Sequence, residues 1–264
     1  MISSRLNGRT ALVTGASGGL GADFASQLAA RGANLVLVAR RQEELGRVAA
    51  GIEKEYAVRA QAVVCDLAVA DAPQKLFDLL KQQTVTVDIL VNNAGFGIYG
   101  DFADVPWERE LAMLQIDVLA LTHLTKLFVR DMRTRRRGYI LQVASIGAYQ
   151  PSPTYASYSA AKAYVLSMGE ALNYELRGSG VSVTVISPGV TRTEFLKVAG
   201  QAPSRYQRLM MMDSSAVARI GIDALLQRRP SVIPGFLNNL LALGTRFMPR
   251  RWQAAAASLL MTKD

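Results

Sequence analysis

The sequence predicts an α/β fold in which a doubly wound parallel sheet of about seven strands carries helices on both faces. Short apolar runs without polar alternation indicate strands buried on both sides, and longer segments of helical period lie between them. Parallel strands joined by helices require right-handed crossovers. A ligand crevice is then expected at the carboxyl ends of the strands.

Each element follows from one of these two patterns. The predicted strands are Thr10–Thr14, Asn34–Ala39, Ala60–Val64, Asp88–Val91, Tyr139–Val143 and Val181–Ile186, with a seventh around Ser231–Ile233. The predicted helices are Leu20–Arg31, Gln42–Tyr56, Ala72–Lys81, Trp107–Thr134, Tyr158–Leu176 and Ala216–Gln227. Because no linker-like stretch interrupts this alternation before about residue 190, residues 1–264 are treated as a single domain.

Composition narrows the class of protein. The chain is 50% hydrophobic and 19% charged, which excludes a disordered or low-complexity protein. Its net charge of +9 leaves nucleic acid, an acidic membrane surface or an anionic cofactor as partners. The single Cys65 and the lack of a Cys/His cluster argue against a disulfide or a zinc site. With neither a signal peptide in Met1–Gly8 nor a membrane span visible, we expect a cytoplasmic protein.

The turn after the first strand is rich in glycine. It contains Gly15, Ser17, Gly19, Leu20 and Gly21, with the glycines spaced as G-x-x-x-G-x-G before a helix begins. Glycine lets the backbone approach a ligand closely, and the free N–H groups of a helix start attract phosphate. A plain loop is the alternative, but this position favours a pyrophosphate and hence a Rossmann-like, NAD(P)-binding domain.

The end of the second strand indicates which dinucleotide is bound. An acidic residue there would bind the ribose hydroxyls and repel a 2′-phosphate, whereas this strand runs into Arg40 and Arg41. Two guanidiniums favour NADP(H), with NAD(H) also possible. The alternative, a solvated helix start, is electrostatically poor because cations are disfavoured at a helix N-terminus.

A hydroxyl, a phenol and an amine are expected to meet at the same crevice. Tyr158 and Lys162 lie one helical turn apart, so that both side chains reach from one face. The preceding strand ends next to Ser145. A Tyr and a Lys at this spacing are weak evidence for a catalytic site on their own, but their position beside that strand end strengthens the prediction.

Taken together, these motifs resemble the short-chain dehydrogenase/reductase family over nearly the whole chain. The matching stretches are Thr14–Gly21, Asp66-Leu67, Asn92-Asn93-Ala94-Gly95, Ser145, Tyr158-x-x-x-Lys162 and Pro188-Gly189. The resemblance implies that Asp66 contacts the adenine and that the stretch ending in Asn93, Ala94 and Gly95 packs beside the cofactor. It further implies that Leu67 belongs to the cofactor site and that Pro188, Gly189 and Thr193 border the nicotinamide.

The chemistry explains the residue types. A hydride arriving at a carbonyl carbon places negative charge on the oxygen, which a hydroxyl acid can neutralise. A free tyrosine has a pKa near 10, and a nearby ammonium lowers it, so we expect Lys162 to lower the pKa of Tyr158. The resemblance adds that Lys162 also binds the nicotinamide ribose and that Ser145 positions the substrate oxygen.

Asp117 departs from the family pattern, which usually has Asn at this place. If the helix backbone carries the role in a water-linked proton path, Asp substitutes well; if the side-chain amide matters, an ionised Asp accepts but does not donate. We count Asp117 among the catalytic residues, against the alternative of an ordinary polar residue that bends the helix.

Substrate choice is assigned to residues 147–156 and to a substrate loop at residues 191–212. Both segments are rich in apolar and aromatic side chains, including Tyr155, Phe195 and the run Met210–Met212. The methionines would line an apolar lid or pack on the loop's own core. We expect a hydrophobic carbonyl or secondary alcohol, such as an acyl, steroid-like or aromatic ketone.

A helical tail at residues 236–264 follows the last strand. Leu237, Leu240, Leu241, Gly244 and Phe247 fall on one face at helical spacing. The stripe would cover the substrate mouth, form a contact in a homodimer or homotetramer, or lie on a membrane surface. Packing or subunit contact is favoured, with peripheral membrane contact as the alternative.

The remaining cations and titratable groups have simpler interpretations. Five arginines between Arg130 and Arg137 indicate a solvated helix end before a capping Gly138. Without interleaved aromatic residues they give no sign of nucleic-acid binding.

The motifs together make an NADP(H)-dependent oxidoreductase the leading function, and a non-catalytic NADP(H)-binding regulatory protein is the alternative.

Overall fold

The structure is a computed structural model, and it describes residues 6–261 of the chain. Most of the N-terminal stretch searched for a signal peptide, and the last three residues of the predicted tail, lie outside the described residues.

A seven-stranded sheet, parallel throughout, forms the centre of the molecule, with the strand order β3-β2-β1-β4-β5-β6-β9. Leu12 pairs with Val36 on one side and Leu90 on the other, so β1 lies between β2 and β4. The predicted doubly wound fold is confirmed. The strands are β1 Thr10–Thr14, β2 Asn34–Ala39, β3 Ala60–Val64, β4 Ile89–Asn92, β5 Gly138–Val143, β6 Val181–Ile186 and β9 Ser231–Val232; β7 Thr191–Arg192 and β8 Met212–Asp213 form a separate pair.

Helices connect these strands and cover both faces of the sheet. Two short turns of other kinds interrupt them: a π-helical segment at Gln115–Ala120 and a 3₁₀ turn at Ile146–Tyr149. The helices are α1 Gly19–Ala29, α2 Gln42–Tyr56, α3 Ala72–Gln82, α4 Trp107–Leu114, α5 Leu121–Thr134, α6 Ala156–Glu175, α7 Phe195–Ala199, α8 Arg205–Met210, α9 Ser214–Leu226, α10 Phe236–Thr245 and α11 Arg250–Met261.

The core has two main layers, one on each face of the sheet. Alternate residues of the central strands divide between them: Val13 faces the layer that holds Phe24 of α1, and Leu12 faces the layer that holds Phe128 of α5. This division is what period-2 alternation requires of strands buried on both sides.

The third strand departs from the prediction that every strand is buried on both faces. Ala62 and Val64 are exposed on β3 because it is the edge strand of the sheet and pairs only with β2. The apolar sequence of β3 therefore does not mean that both faces of this strand are buried.

The long helical segment over residues 107–134 is continuous but not uniform. It is long and apolar enough to cross a membrane by length and composition, yet Leu124 and Phe128 are buried against the sheet, as in the core helix of a globular domain. Its middle widens into the π-helical segment that contains Asp117. Such insertions are frequent at functional sites.

The arginine cluster at the end of α5 is only in part the solvated helix end that the sequence predicted: Arg130, Arg133 and Arg136 are exposed, but two of the five arginines have a buried partner. Arg135 and Arg137 hold the buried carboxylate of Asp88 at 3.2 and 2.8 Å. The left-handed residue that ends the helix is Arg136, with φ +53°, and not Gly138. The reason is that Asp88 precedes β4 in the core and needs cationic partners.

Candidate active site

A cavity of about 500 Å³ collects most of the predicted site residues at the carboxyl ends of the strands. Asp117 is buried behind its wall, and Asp66 is exposed beside it. The predicted residues that line the cavity are Gly15, Ser17, Gly19, Leu20, Gly21, Arg40, Arg41, Leu67, Asn93, Ala94, Gly95, Ser145, Tyr158, Lys162, Pro188, Gly189 and Thr193.

The backbone conformation and close packing of the glycine turn exclude larger side chains. Gly15 and Gly19 have φ of +68° and +53°, a backbone conformation that favours glycine. A Cβ atom on Gly21 would lie 2.2 Å from the carbonyl oxygen of Gly15, so the helix start packs directly on the turn. With the N-terminus of α1 at the cavity wall, this cradle suits the pyrophosphate of a dinucleotide.

Thr14 and Asn93 tie the glycine turn to the end of β4. The Thr14 hydroxyl accepts hydrogen bonds from the backbone N–H groups of Asn93 and Ala94 at 3.0 and 2.9 Å. Asn93 Nδ2 donates to the Thr14 carbonyl at 2.9 Å. These bonds fix the two strand ends that border the predicted cofactor site.

Of the two arginines after β2, Arg41 is the one that contacts the glycine turn. Its guanidinium donates to Ser17 Oγ at 3.2 and 3.3 Å and lies 3.5 Å from a carboxylate oxygen of Glu194. Arg40 is more exposed and lies 3.9 Å from Asp66, the residue expected at the adenine. Both guanidiniums border the cavity.

Ser145, Tyr158 and Lys162 meet at the cavity as the sequence predicted. Ser145 caps the 3₁₀ turn by accepting from the Gly147 N–H at 3.1 Å, and it lines the cavity together with Tyr158. Lys162 is buried one turn along α6, donates to the Val143 carbonyl at 3.1 Å and lies 5.6 Å from the Tyr158 ring centre.

Asp117 is fully buried and forms an ion pair with Lys162. Its Oδ2 atom lies 3.0 Å from Lys162 Nζ, and its Oδ1 atom accepts from the Phe96 N–H at 3.2 Å. Burial raises the pKa of the Asp117 carboxyl, and the nearby Lys162 charge opposes that rise. Asp117 thus touches the predicted catalytic lysine directly.

The expectation that Lys162 lowers the pKa of Tyr158 is not met in this structure. The pKa of Tyr158 is raised from 10.0, first because the phenol is buried and second because the Asp117 carboxylate disfavours a phenolate; the hydrogen bond with Ser145 opposes the rise. The physical reason is that Asp117 balances the charge of Lys162.

Aromatic rings line the approach to Tyr158. Tyr99, Tyr155, Tyr158 and Phe195 follow one another with ring centroids 5.5, 5.8 and 5.4 Å apart. The Tyr155 hydroxyl donates to Gln201 at 2.8 Å, which ties this wall to the loop after α7. Phe195, Leu196 and Val198 line the cavity, so part of residues 191–212 contributes apolar surface to it.

The methionine run in that segment does not form a lid over the cavity. Met210, Met211 and Met212 are absent from its lining, and Met212 packs against the core layer of α1 and α9. Of the two alternatives left open by the sequence, packing on the protein's own core is the one observed for Met212.

Two polar residues of the cavity lie inside the predicted substrate loop at residues 191–212 but were not predicted individually from the sequence. Glu194 faces Arg41, and Gln207, which is buried on α8, lines the cavity with Phe195. Glu194 directly follows Thr193 and was accessible to sequence reasoning as the first acidic residue in that loop. Gln207 gave no local signal, because its position depends on how the loop folds back.

Comparisons with known proteins agree with this geometry. A family model described as "short chain dehydrogenase" matches residues 9–203. The chain is 35% identical over 195 residues to a very-long-chain 3-oxoacyl-CoA reductase of Phaeosphaeria nodorum, a match that covers 72% of this chain and 57% of that protein. The chain therefore belongs to the short-chain dehydrogenase/reductase family, an oxidoreductase family.

Solved structures share the fold along almost the whole chain. One, from work on 7β-hydroxysteroid dehydrogenase stereoselectivity, has a TM-score of 0.87 and 26% identity, covering 97% of this chain and 99% of that one. A short-chain dehydrogenase from Sphingobium yanoikuyae in complex with NADPH has a TM-score of 0.81 and 30% identity, covering 90% and 93%. An NAD⁺-bound xylitol dehydrogenase has a TM-score of 0.73 and 26% identity, covering 84% and 93%. Similar proteins thus use either nicotinamide dinucleotide.

Proposed function

We propose that the protein is an NADP(H)-dependent reductase of bulky hydrophobic carbonyl compounds, able to oxidise the matching secondary alcohols. The observation that carries this proposal is the convergence of Ser145, Tyr158 and Lys162 on the cavity that Arg40 and Arg41 also border. A hydroxyl acid, a positioning hydroxyl and a cation beside a dinucleotide cradle suit hydride transfer to a carbonyl.

The residues present fit NADP(H). The glycine turn and the start of α1 would hold the pyrophosphate, and Arg41, with Arg40 beside it, would bind the 2′-phosphate. The complex of the Sphingobium yanoikuyae enzyme with NADPH supports this preference. Glu194 would lose its partner if Arg41 turned to a phosphate, so the Arg41–Glu194 pair is expected to open when NADP(H) binds.

Each polar residue then has a part in the reaction. When bound, the nicotinamide supplies the hydride to the carbonyl carbon. Ser145 donates a hydrogen bond to the carbonyl oxygen, and Tyr158 donates its proton as negative charge develops there. Lys162 would bind the nicotinamide ribose, and Asp117 together with the Val143 carbonyl holds the ammonium in place. A phenol is protonated at neutral pH, which is the form that reduction requires of Tyr158.

The lining of the cavity supports a hydrophobic substrate. Tyr155, Phe195, Leu196 and Val198 offer aromatic and aliphatic surface near Tyr158. Two similar proteins are named for an oxoacyl-CoA and for a hydroxysteroid, each with its reacting group on a large apolar skeleton. We extend that substrate class, though neither compound in particular, to this chain.

A panel of carbonyl compounds tests the proposal. NADPH oxidation is followed with aromatic ketones, steroid ketones, 3-oxoacyl thioesters and small sugars, and each assay is repeated with NADH. We expect turnover of the apolar compounds with NADPH as the better cofactor. Turnover confined to sugars would contradict the substrate class, and equal use of NADH would contradict the cofactor preference. NADPH binding without any turnover would favour the non-catalytic regulatory protein.

A further inference from the structure

The helix α10, which precedes the last helix α11, presents its apolar side away from the protein. Phe236 and Phe247 are 81% and 83% exposed, and Leu237 and Leu240 are more than half exposed. Phe236, Leu237, Leu240 and Leu241 lie on one side of α10 at the spacing of an α-helix, and Phe247 follows in the turn after it. We call this outward surface of α10 the apolar face.

The side of α10 that packs on the protein is polar or small. Asn238 is buried, donates to the Pro234 carbonyl at 2.8 Å and lies against Gly189 of the cavity wall; Ala242 is also buried. A helix whose only task is to cover its own core points its leucines inward. The reversed arrangement indicates that the apolar face meets something other than this chain's core.

The basic residues near the apolar face of α10 favour an anionic partner. Between Asp223 and Asp264 the sequence has no acidic residue, whereas Arg228, Arg229, Arg246, Arg250, Arg251 and Lys263 lie in that stretch. Arg246, Arg250 and Arg251 follow the apolar face directly and are exposed. The ion pairs of the described residues involve other arginines.

From this combination we infer that the apolar face of α10 docks on an anionic lipid surface. Leucines and phenylalanines would enter the boundary between headgroups and acyl chains, and the arginines would pair with lipid phosphates. Trp252, 57% exposed beside Arg251, suits the same boundary because its ring is apolar and its N–H is polar. A second copy of the chain fits less well, because a two-fold contact sets this surface against itself and the sequence between Asp223 and Asp264 has no acidic residue to pair with the arginines.

The position of α10 gives such docking a consequence for the cavity. Asn238 touches Gly189, and α10 packs against the 3₁₀ turn at Ile146–Tyr149 whose first residues line the cavity. A membrane bound by the apolar face would therefore lie on the side of the molecule where α10 borders the cavity.

Vesicle flotation of the full chain tests the inference without relying on activity. Vesicles of phosphatidylcholine, with and without phosphatidylglycerol, are compared at low and high salt. Two variants remove the proposed contacts: Leu237→Ser/Leu240→Ser/Phe247→Ser, and Arg246→Gln/Arg250→Gln/Arg251→Gln. The matched control, Val69→Ser/Leu111→Ser/Tyr174→Ser, removes exposed apolar side chains from other elements. Circular dichroism and thermal unfolding verify that each variant is folded.

We expect the wild type and the control to float with phosphatidylglycerol vesicles, less so at high salt, and both C-terminal variants to partition at least tenfold more weakly. Absence of flotation by the wild type, or an equal loss in the control, would overturn the inference. A wild-type dimer that fails to float and that dissociates in the Leu/Phe variant, as measured by sedimentation velocity, would also overturn it and assign the apolar face to a subunit contact.

Discussion

The Oδ2 atom of Asp117 lies 3.0 Å from Nζ of Lys162, and both side chains are almost completely shut off from solvent. The pair joins the π-helical segment to α6 directly behind Tyr158. Because an uncharged Asn in place of Asp117 would leave the Lys162 ammonium unbalanced, this pair sets the electrostatic field that acts on the Tyr158 phenol.

Replacing Asp117 by Asn is therefore expected to shift the pH dependence to lower pH. Removing the carboxylate leaves the positive charge of Lys162 unopposed, which favours the phenolate and lowers the pKa of Tyr158. Reduction needs the protonated phenol, so its alkaline decline begins lower, by about one pH unit or more. Alcohol oxidation needs the phenolate, so its rise moves down as well.

Rate profiles for both directions measure this shift, with exposed Asp78→Asn as the control. Superimposable profiles for Asp117→Asn and the wild type would show that Asp117 does not govern Tyr158.

The two arginines after β2 are expected to contribute unequally to NADPH binding. Arg41→Ala removes the guanidinium that contacts Ser17, and we expect it to raise the KM for NADPH by about tenfold or more. Arg40→Ala has a smaller effect, and the KM for NADH changes little in either variant, because NADH lacks the 2′-phosphate. Arg47→Ala on α2 is the control. An unchanged KM for NADPH in the double variant Arg40→Ala/Arg41→Ala would remove both residues from the cofactor site.

Alanine substitutions at two glycines with different surroundings are expected to have opposite effects, one in the tight turn and one on the open surface of α2. Gly21→Ala places a methyl group 2.2 Å from the Gly15 carbonyl oxygen, so the turn must shift, and we expect NADPH binding to be lost. Gly51→Ala on α2 meets nothing within 4 Å and is expected to raise the free energy of unfolding by about 0.5 to 1 kcal/mol. Thermal unfolding and NADPH fluorescence measure both effects. Full NADPH affinity in Gly21→Ala would argue against the cradle.

The buried Asp88 is expected to be important for stability rather than for catalysis. Asp88→Ala leaves Arg135 and the Thr10 N–H without their buried acceptor, and we expect a loss of about 3 kcal/mol in the free energy of unfolding. Asp71→Ala, which removes an exposed pair with Lys75, should cost less than about 1 kcal/mol. Urea titration compares the two. Equal effects would mean that the arginine cluster is a solvated helix end after all.

Much of the fold was predictable because each strand carries its own apolar run. Observed β1, β2, β3 and β6 have the predicted bounds, and β4 is displaced by one residue, within the usual variation of element ends. The exposure of β3 depends on its place at the sheet edge, which is decided by the order of the strands and not by local sequence.

The candidate site also has parts that the sequence predicts and parts that depend on the three-dimensional fold. Topology brings Ser145 and Tyr158 to one crevice, since both follow the carboxyl end of β5. The Asp117–Lys162 ion pair depends on a π-helical widening that has no sequence signal here, and the contact between Arg41 and Glu194 depends on the path of a loop. The apolar stripe of α10 was predicted from the sequence, but its outward orientation depends on the packing of Asn238 on the opposite, buried side.

The Tyr158→Phe variant tests the assignment of the catalytic acid most directly, with NADPH binding and the rate of ketone reduction measured on the same preparation. The substitution removes one hydroxyl and keeps the ring that packs between Tyr155 and Phe195. We expect NADPH to bind with a Kd within about twofold of the wild type, and ketone reduction to fall by about a thousandfold or more. Reduction at a substantial fraction of the wild-type rate, with NADPH bound normally, would contradict the assignment of Tyr158 as the proton donor.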